Sequence, residues 1–274
     1  MKNILLIFYI PAILVFEVNG CYRNNTNDDV VSLDAIKMDI LSPYPSFNHF
    51  NDVTRTHRYV RDCQPKEHGS MTHESITPRN LTDEVNVQYF RREGNKAGHH
   101  VVIKNPAKLI SVQEPSNGGC ETLSTSSVAE TAHAHGCYVA SNAGFFFPDK
   151  NKTIPYGTCY GNIISEGKVV QKTGIQNANF GIRRDGTVVI GYLSEDEVTD
   201  QSNPFVQLVT GVGWILRNGT NYLKESKKAE CKDTQTTGGL DTFFTVVSAR
   251  TVLGVDDNGH VHLIHVDGKT NKRG

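Results

Sequence analysis

The chain carries no marked excess of either charge, no long run of like charges and, beyond residue 16, no apolar stretch long enough to cross a bilayer. Its 28 Lys and Arg are balanced by 29 Asp and Glu, a formal net charge of -1. That balance removes the electrostatic basis for binding nucleic acid or an anionic membrane, so partners are expected to be small or glycan-like. None of the six cysteines falls in a C-x-x-C pair, which argues against a structural zinc site. Also missing are a G-x-S-x-G elbow, an H-E-x-x-H pair and a Walker loop, which sets aside conventional serine hydrolases, zinc proteases and P-loop enzymes. No internal repeat is present, and no cofactor or metal is expected.

What the chain does have begins with Lys2 and the apolar run from Ile4 to Phe16, followed by Val18-Asn19-Gly20. This has the form of a secretory signal peptide over residues 1–20, and the run is too short for the roughly 20 residues of a spanning helix. Export makes Cys21, Cys63, Cys120, Cys137, Cys159 and Cys231 candidates for disulfides. Their connectivity stays open, although Cys120 and Cys159 bracket one loop and are placed to hold its flanks together. Sequons at Asn24, Asn80, Asn151 and Asn218 fit the same compartment and predict surface positions.

Residues 21–85 are rich in Asn, Asp, Ser, Thr and His and read as a polar leader or pro-region, with a minimal basic processing sequence at Arg55-Thr-His-Arg58. Scattered surface arginines explain that sequence equally well. Over 86–274 short apolar runs alternate with turn pairs, Glu166-Gly167, Asp185-Gly186, Asn218-Gly219 and Asn258-Gly259, which predicts successive hairpins. One helix is predicted from Val128 to His135, opened by the capping box Ser127-Val-Ala-Glu130 and closed by Gly136. The fold class is α+β, predominantly antiparallel sheet with a few helices.

Three places carry candidate chemistry. At Asn142-Ala-Gly-Phe-Phe, a strand ends in an amide, Gly144 lets a ligand approach the backbone, and Phe145 or Phe146 offers a platform for a sugar; the plainer alternative is a strand-end turn whose rings fill core. Arg250 opens the apolar run Thr251-Val-Leu-Gly, where a guanidinium needs an anion, either a ligand or an internal carboxylate. Asp267 ends the run Val261 to Val266 and can serve as nucleophile, base or electrostatic stabiliser, although Asp-Gly is also a common turn pair. His260 and His262 are expected on one face of a strand, as a metal pair or a solvated one, whereas His133 and His135 on the helix diverge. His99-His100 is a further candidate contact for an anionic substrate.

Taken together, Asn142-Ala-Gly-Phe-Phe, Gln176-Asn-Ala-Asn-Phe-Gly-Ile-Arg-Arg-Asp-Gly, Asn203-Pro-Phe-Val-Gln, Ser248-Ala-Arg-Thr and His265-Val-Asp-Gly resemble the phosphodiester glycosidase family, and more closely its animal branch, over about residues 98–274. The resemblance implies a Golgi enzyme that removes N-acetylglucosamine (GlcNAc) from the GlcNAc-phospho-mannose diester on phosphorylated high-mannose N-glycans of lysosomal hydrolases. It implies an N-terminal pro-segment as well. Family members continue past the position of Gly274 into a helix and an Asp-Gly-Gly-Gly-Ser motif, and the animal branch adds a cysteine-rich region and a membrane segment. By that measure this chain is expected to be C-terminally truncated, and secreted if it ends there.

Cleaving sugar C1 from a phosphate oxygen releases a phosphomonoester, a good leaving group, so a strong general acid matters less than in ordinary glycosidases. On this basis Arg250, aided by Lys269 or His100, is assigned to the phosphate. Asp267 is assigned to the anomeric centre or its attacking water, and Asn142, Gly144 and Phe145 to the ligand. A secreted glycan-binding protein without catalysis and a fragment without independent function are the competing expectations.

Overall fold

The computed structural model describes residues 3–7, 14–18, 73–92, 96–115, 117–146, 156–172, 177–230 and 240–269. Asn24, Asn151, Cys21, Cys63, Cys231, the Arg55 to Arg58 stretch and most of the polar leader lie outside the described residues. Every strand pairing among those described is antiparallel. The expected α+β class, dominated by antiparallel strands, is therefore what the chain adopts.

A seven-stranded sheet runs in spatial order Thr220–Asn221, Trp214–Arg217, Asn3–Ile7, Arg250–Val255, Val261–Val266, Lys96–Ile103 and Val85–Arg92. A six-stranded sheet runs Lys168–Gln171, Ile163–Ser165, Phe205–Thr210, Asn179–Arg183, Val188–Gly191 and His73–Ile76. A third, three-stranded, is Ile110–Gln113, Leu14–Val18 and Val139–Ala143, and Phe145–Phe146 pairs with Cys159–Tyr160. The hairpins turn where the sequence places them. Glu166 and Gly167, with φ of 50° and 79°, form a two-residue turn whose left-handed backbone matches strand twist.

Two elements extend the expected organisation. His73–Ile76, inside the stretch read as leader, is an edge strand paired with Val188–Gly191, so the folded region reaches back to His73. Within residues 1–20, Asn3–Ile7 lies between Trp214–Arg217 and Arg250–Val255, and Leu14–Val18 lies between Ile110–Gln113 and Val139–Ala143.

Alternation in the strands builds the core. Val101 and Ile103, Leu253 and Val255, and Val261 and Leu263 share one face of the larger sheet. They form one buried cluster with Phe180, Ile182, Val188, Ile190 and Val209 of the six-stranded sheet. At about 1.5–3 kcal/mol for each large side chain fully buried, this shared cluster is the main attraction between the sheets.

The helix Val128–His135 has both halves of its capping box and ends at Gly136 with φ 68°. Cys120 and Cys159 are joined, as expected, with Cα atoms 5.5 Å apart across 39 residues. Asn80 and Asn218 are exposed, at φ 52° and 48°. No helix among the described residues is long and apolar enough to cross a membrane.

Candidate functional site

The inner face of the larger sheet changes character along its strands. Val101, Leu253 and Leu263 form one apolar rung, and the next rung is His99, Thr251 and His265, directly paired across three strands. One step further, the Asp267 amide donates to the Ala97 carbonyl at 2.8 Å, which holds Asp267 at the strand end on the side of His265. The core thus runs out into a polar edge.

Against that edge lies the strand Val139–Ala143. Between them is a cleft of about 480 Å³, the size of a small-ligand site, lined on its polar side by His99, Ser141, Asn142 and His265. Val87, Val101, Val128 and Leu263 supply an apolar wall, and Tyr138, 66% exposed, adds an aromatic ring.

A line of hydrogen bonds crosses the floor. Thr251 Oγ1 donates to Asn142 Oδ1 at 3.1 Å and lies 3.0 Å from Ser141 Oγ and 3.2 Å from His265 Nδ1. His265 Nε2 then faces Asp267 Oδ1 at 3.5 Å. Thr251 is 1% exposed, whereas the His265 and Asp267 side chains are 37% and 46% exposed, so the line is sealed at one end and open at the other. Burial lowers the His265 pKa, with Asp267 opposing and His99 adding to the shift.

The expected site residues are distributed unevenly over this arrangement. Asn142 and Asp267 are brought into one connected line through Thr251 and His265. Arg250 is set apart, because its neighbour Thr251 faces the cleft and successive strand residues face opposite sides. Its guanidinium donates to the carbonyls of Ala249, Phe243 and Val246 at 2.8, 2.9 and 2.6 Å, at the end of the helix Leu240–Thr245. The charge meets backbone oxygens there, neither of the two anions foreseen for it, and burial lowers its pKa.

His100 also points away from the cleft. Its Nε2 lies 2.9 Å from His262 Nδ1, and His262 and His260 both reach the Asp256 carboxylate at 3.4 Å. Of the His99-His100 pair it is therefore His99 that lines the cleft, beside Tyr89 with ring centroids 5.4 Å apart. Lys269 is exposed, two residues past Asp267.

Gly144 has φ 66°, a left-handed backbone that lets the chain turn from Ala143 into Phe145–Phe146. Phe146 is 3% exposed and packs edge-on against Tyr156, so it fills core; the Phe145 side chain lies outside the described atoms. No cluster of three or more metal-ligating side chains occurs among the described residues.

Sequence reasoning passed over Ser141, Thr251, His265 and Tyr138. For Thr251 and His265 a signal existed: each lies two residues from a core leucine on its own strand, the parity that shares a face.

Comparison with known proteins gives concordant results. The model of the family described as phosphodiester glycosidase matches residues 135–274. The bovine protein named N-acetylglucosamine-1-phosphodiester α-N-acetylglucosaminidase is 40% identical over all of this chain and 50% of its own length. The human protein of that name is 43% identical over 86% of this chain and 45% of its own length. The chain thus spans about half the length of the curated relatives it matches. Among solved structures, the catalytic domain of the zebrafish protein of the same name, auto-inhibited by its pro-peptide, is 46% identical with a TM-score of 0.66, covering 81% of this chain and 74% of that one.

Proposed function

We infer the function of this chain from one premise: it belongs to the phosphodiester glycosidase family. The reading is that it forms the catalytic part of a hydrolase acting on the GlcNAc-α-1-phosphodiester of mannose in lysosomal-enzyme N-glycans, exposing mannose 6-phosphate. Its place of work is the Golgi lumen. The observation that carries the reading is the cleft, in which an apolar and aromatic wall faces a polar line ending in a half-exposed imidazole and carboxylate. Sugar rings have apolar faces and polar rims, and a wall of this composition suits both.

In that cleft the GlcNAc ring lies against Tyr138 and the valines, with Asn142 on the polar floor. Water held near Asp267 attacks the anomeric carbon. Its oxygen forms the new bond to C1, the bond from C1 to the phosphate-linked oxygen breaks with its electron pair going to the phosphate, and the water's proton passes to a base in the site. The departing phosphomonoester needs little acid help. His99, as a ring N–H donor in the cleft, and Lys269 near Asp267 are the candidate phosphate contacts, while Arg250 braces the sheet from its other face.

The test is hydrolysis of a GlcNAc-phospho-mannose diester in ¹⁸O-labelled water. Release of GlcNAc carrying the label at C1 is expected; label in the mannose phosphate would place attack at phosphorus and overturn the assignment. Residues 1–20 are proposed to direct export, and N-terminal sequencing of the secreted protein should then begin at Cys21. A start at Met1 would retain Asn3–Ile7 and Leu14–Val18 as inner strands and discard the signal-peptide reading.

A further inference from the structure

The hydrogen bonds on the cleft floor can be followed one hydrogen at a time. Asn142 Oδ1 only accepts, so the hydrogen in its 3.1 Å contact with Thr251 belongs to the threonine hydroxyl. A hydroxyl has a single hydrogen to give. Ser141 Oγ also reaches Asn142 Oδ1, but only at 3.4 Å, so the shorter contact takes the threonine hydrogen and Thr251 Oγ1 acts as acceptor toward its other two neighbours, Ser141 Oγ at 3.0 Å and His265 Nδ1 at 3.2 Å. The hydrogen between Thr251 and the imidazole consequently sits on Nδ1, and neutral His265 presents a bare Nε2.

That nitrogen faces Asp267 Oδ1 at 3.5 Å, beyond the usual limit of a direct hydrogen bond. Two acceptors so placed, both half-exposed, are satisfied together by one molecule that donates a hydrogen to each. Water does this, and its lone pairs then face outward. Thr251, at 1% exposure, is too deep to be a nucleophile and is left with the role of fixing the ring.

We propose that His265 is the general base of the hydrolysis, holding the attacking water jointly with Asp267, and that Asn142 acts through Thr251 as a positioning residue that locks the His265 tautomer. This rests on the functional reading above. In the reacting complex the water oxygen bonds to the anomeric carbon as its proton moves to His265 Nε2, giving an imidazolium that Asp267 stabilises. The leaving phosphate takes the electron pair of the broken bond. Loss of the proton to solvent restores the base.

The groups facing His265 are Asp267 at the end of its own strand, His99 on the neighbouring strand, and Tyr138, Ser141 and Asn142 across the cleft. With the ring's pKa lowered chiefly by burial, the base stays neutral, and turnover persists, at pH values below the ordinary histidine range. Turnover falls only as pH drops through the lowered value.

The experiment pairs ¹⁵N NMR of histidine-labelled protein with the pH–rate profile of GlcNAc release. Wild type should show His265 protonated at Nδ1 and bare at Nε2. His265→Gln should lose at least about 100-fold in turnover with its melting temperature unchanged. Thr251→Val should lose about tenfold and displace the acid limb of the profile, and Thr251→Ser should restore both.

An Nε2-protonated ring in wild type, or a His265→Gln protein within about threefold of wild type, would overturn the proposal. Wild type without GlcNAc release but with the Nδ1–H ring would overturn the functional reading and leave the tautomer lock standing, so the two failures are separable.

Discussion

Two polar clusters in this molecule use the same kinds of residue to opposite ends. One is a knot around Asn179, which is 0% exposed; its amide meets Asn162, Thr210 and the carbonyls of Asn177 and Gly191 at 2.7–3.2 Å. The knot continues through Ala178 to Glu230, 2% exposed, whose carboxylate accepts from Gly213, Tyr192 and Ser226. The other is the line Ser141, Asn142, Thr251, His265 and Asp267, equally well connected at its buried end but open to the cleft at the other. A closed network spends its donors and acceptors on the fold, whereas an open one keeps some for a ligand. Both include residues from motifs that mark the family, so a motif by itself does not say which purpose its asparagine serves.

The contrast can be broken first at Asn179. Asn179→Ala removes four hydrogen-bonding contacts in a sealed site and should cost about 4 kcal/mol in urea unfolding. A loss under about 1 kcal/mol would show that the knot is not structural. Next comes Glu230, whose pKa burial raises from 4.5 to about 7. A carboxyl raised on folding stabilises the protein most below its unfolded value, so stability should fall as pH rises from about 4.5 through about 7, by on the order of 3 kcal/mol. Glu230→Gln should flatten that slope, and a variant that keeps it would assign the pH dependence elsewhere.

Arg250→Ala should cost about 2 kcal/mol through the three carbonyls it leaves unserved, with turnover reduced by no more than about tenfold. A far larger loss of turnover at unchanged stability would return Arg250 to the substrate. Smallest is Tyr138→Ala, which removes an exposed wall of the cleft: KM should rise about threefold with no change in melting temperature. An unchanged KM would take the sugar away from that ring.

Much of the architecture was legible because local signals agreed with one another. Turn pairs, the capping box at Ser127 and Glu130, and the Cys120 and Cys159 flanks all appear where short-range chemistry puts them. The first twenty residues show the limit of that approach, since an apolar run from Ile4 to Phe16 satisfies a signal peptide and two inner sheet strands alike, and periodicity cannot separate them. His73–Ile76 escaped for a related reason: four residues with three polar members have too little pattern to announce an edge strand.

The site was half legible. Asn142 and Asp267 stood out as polar residues at strand ends, and the structure connects them. Arg250 stood out for its charge, yet the parity of its strand turns it to the face opposite Thr251. His100 was one residue away from the imidazole that lines the cleft. Residue type drew attention to the right rungs, and alternation, applied strand by strand from the core leucines outward, would have chosen the right side chains on them.

The most direct test of the open line is Asp267→Asn, assayed for GlcNAc release from a GlcNAc-phospho-mannose diester beside a melting curve of the same sample. Turnover lowered at least about 100-fold with the melting temperature unchanged is the predicted result, because the side chain is 46% exposed and supports no buried packing. Turnover within about threefold of wild type would contradict the account and move the chemistry out of this cleft.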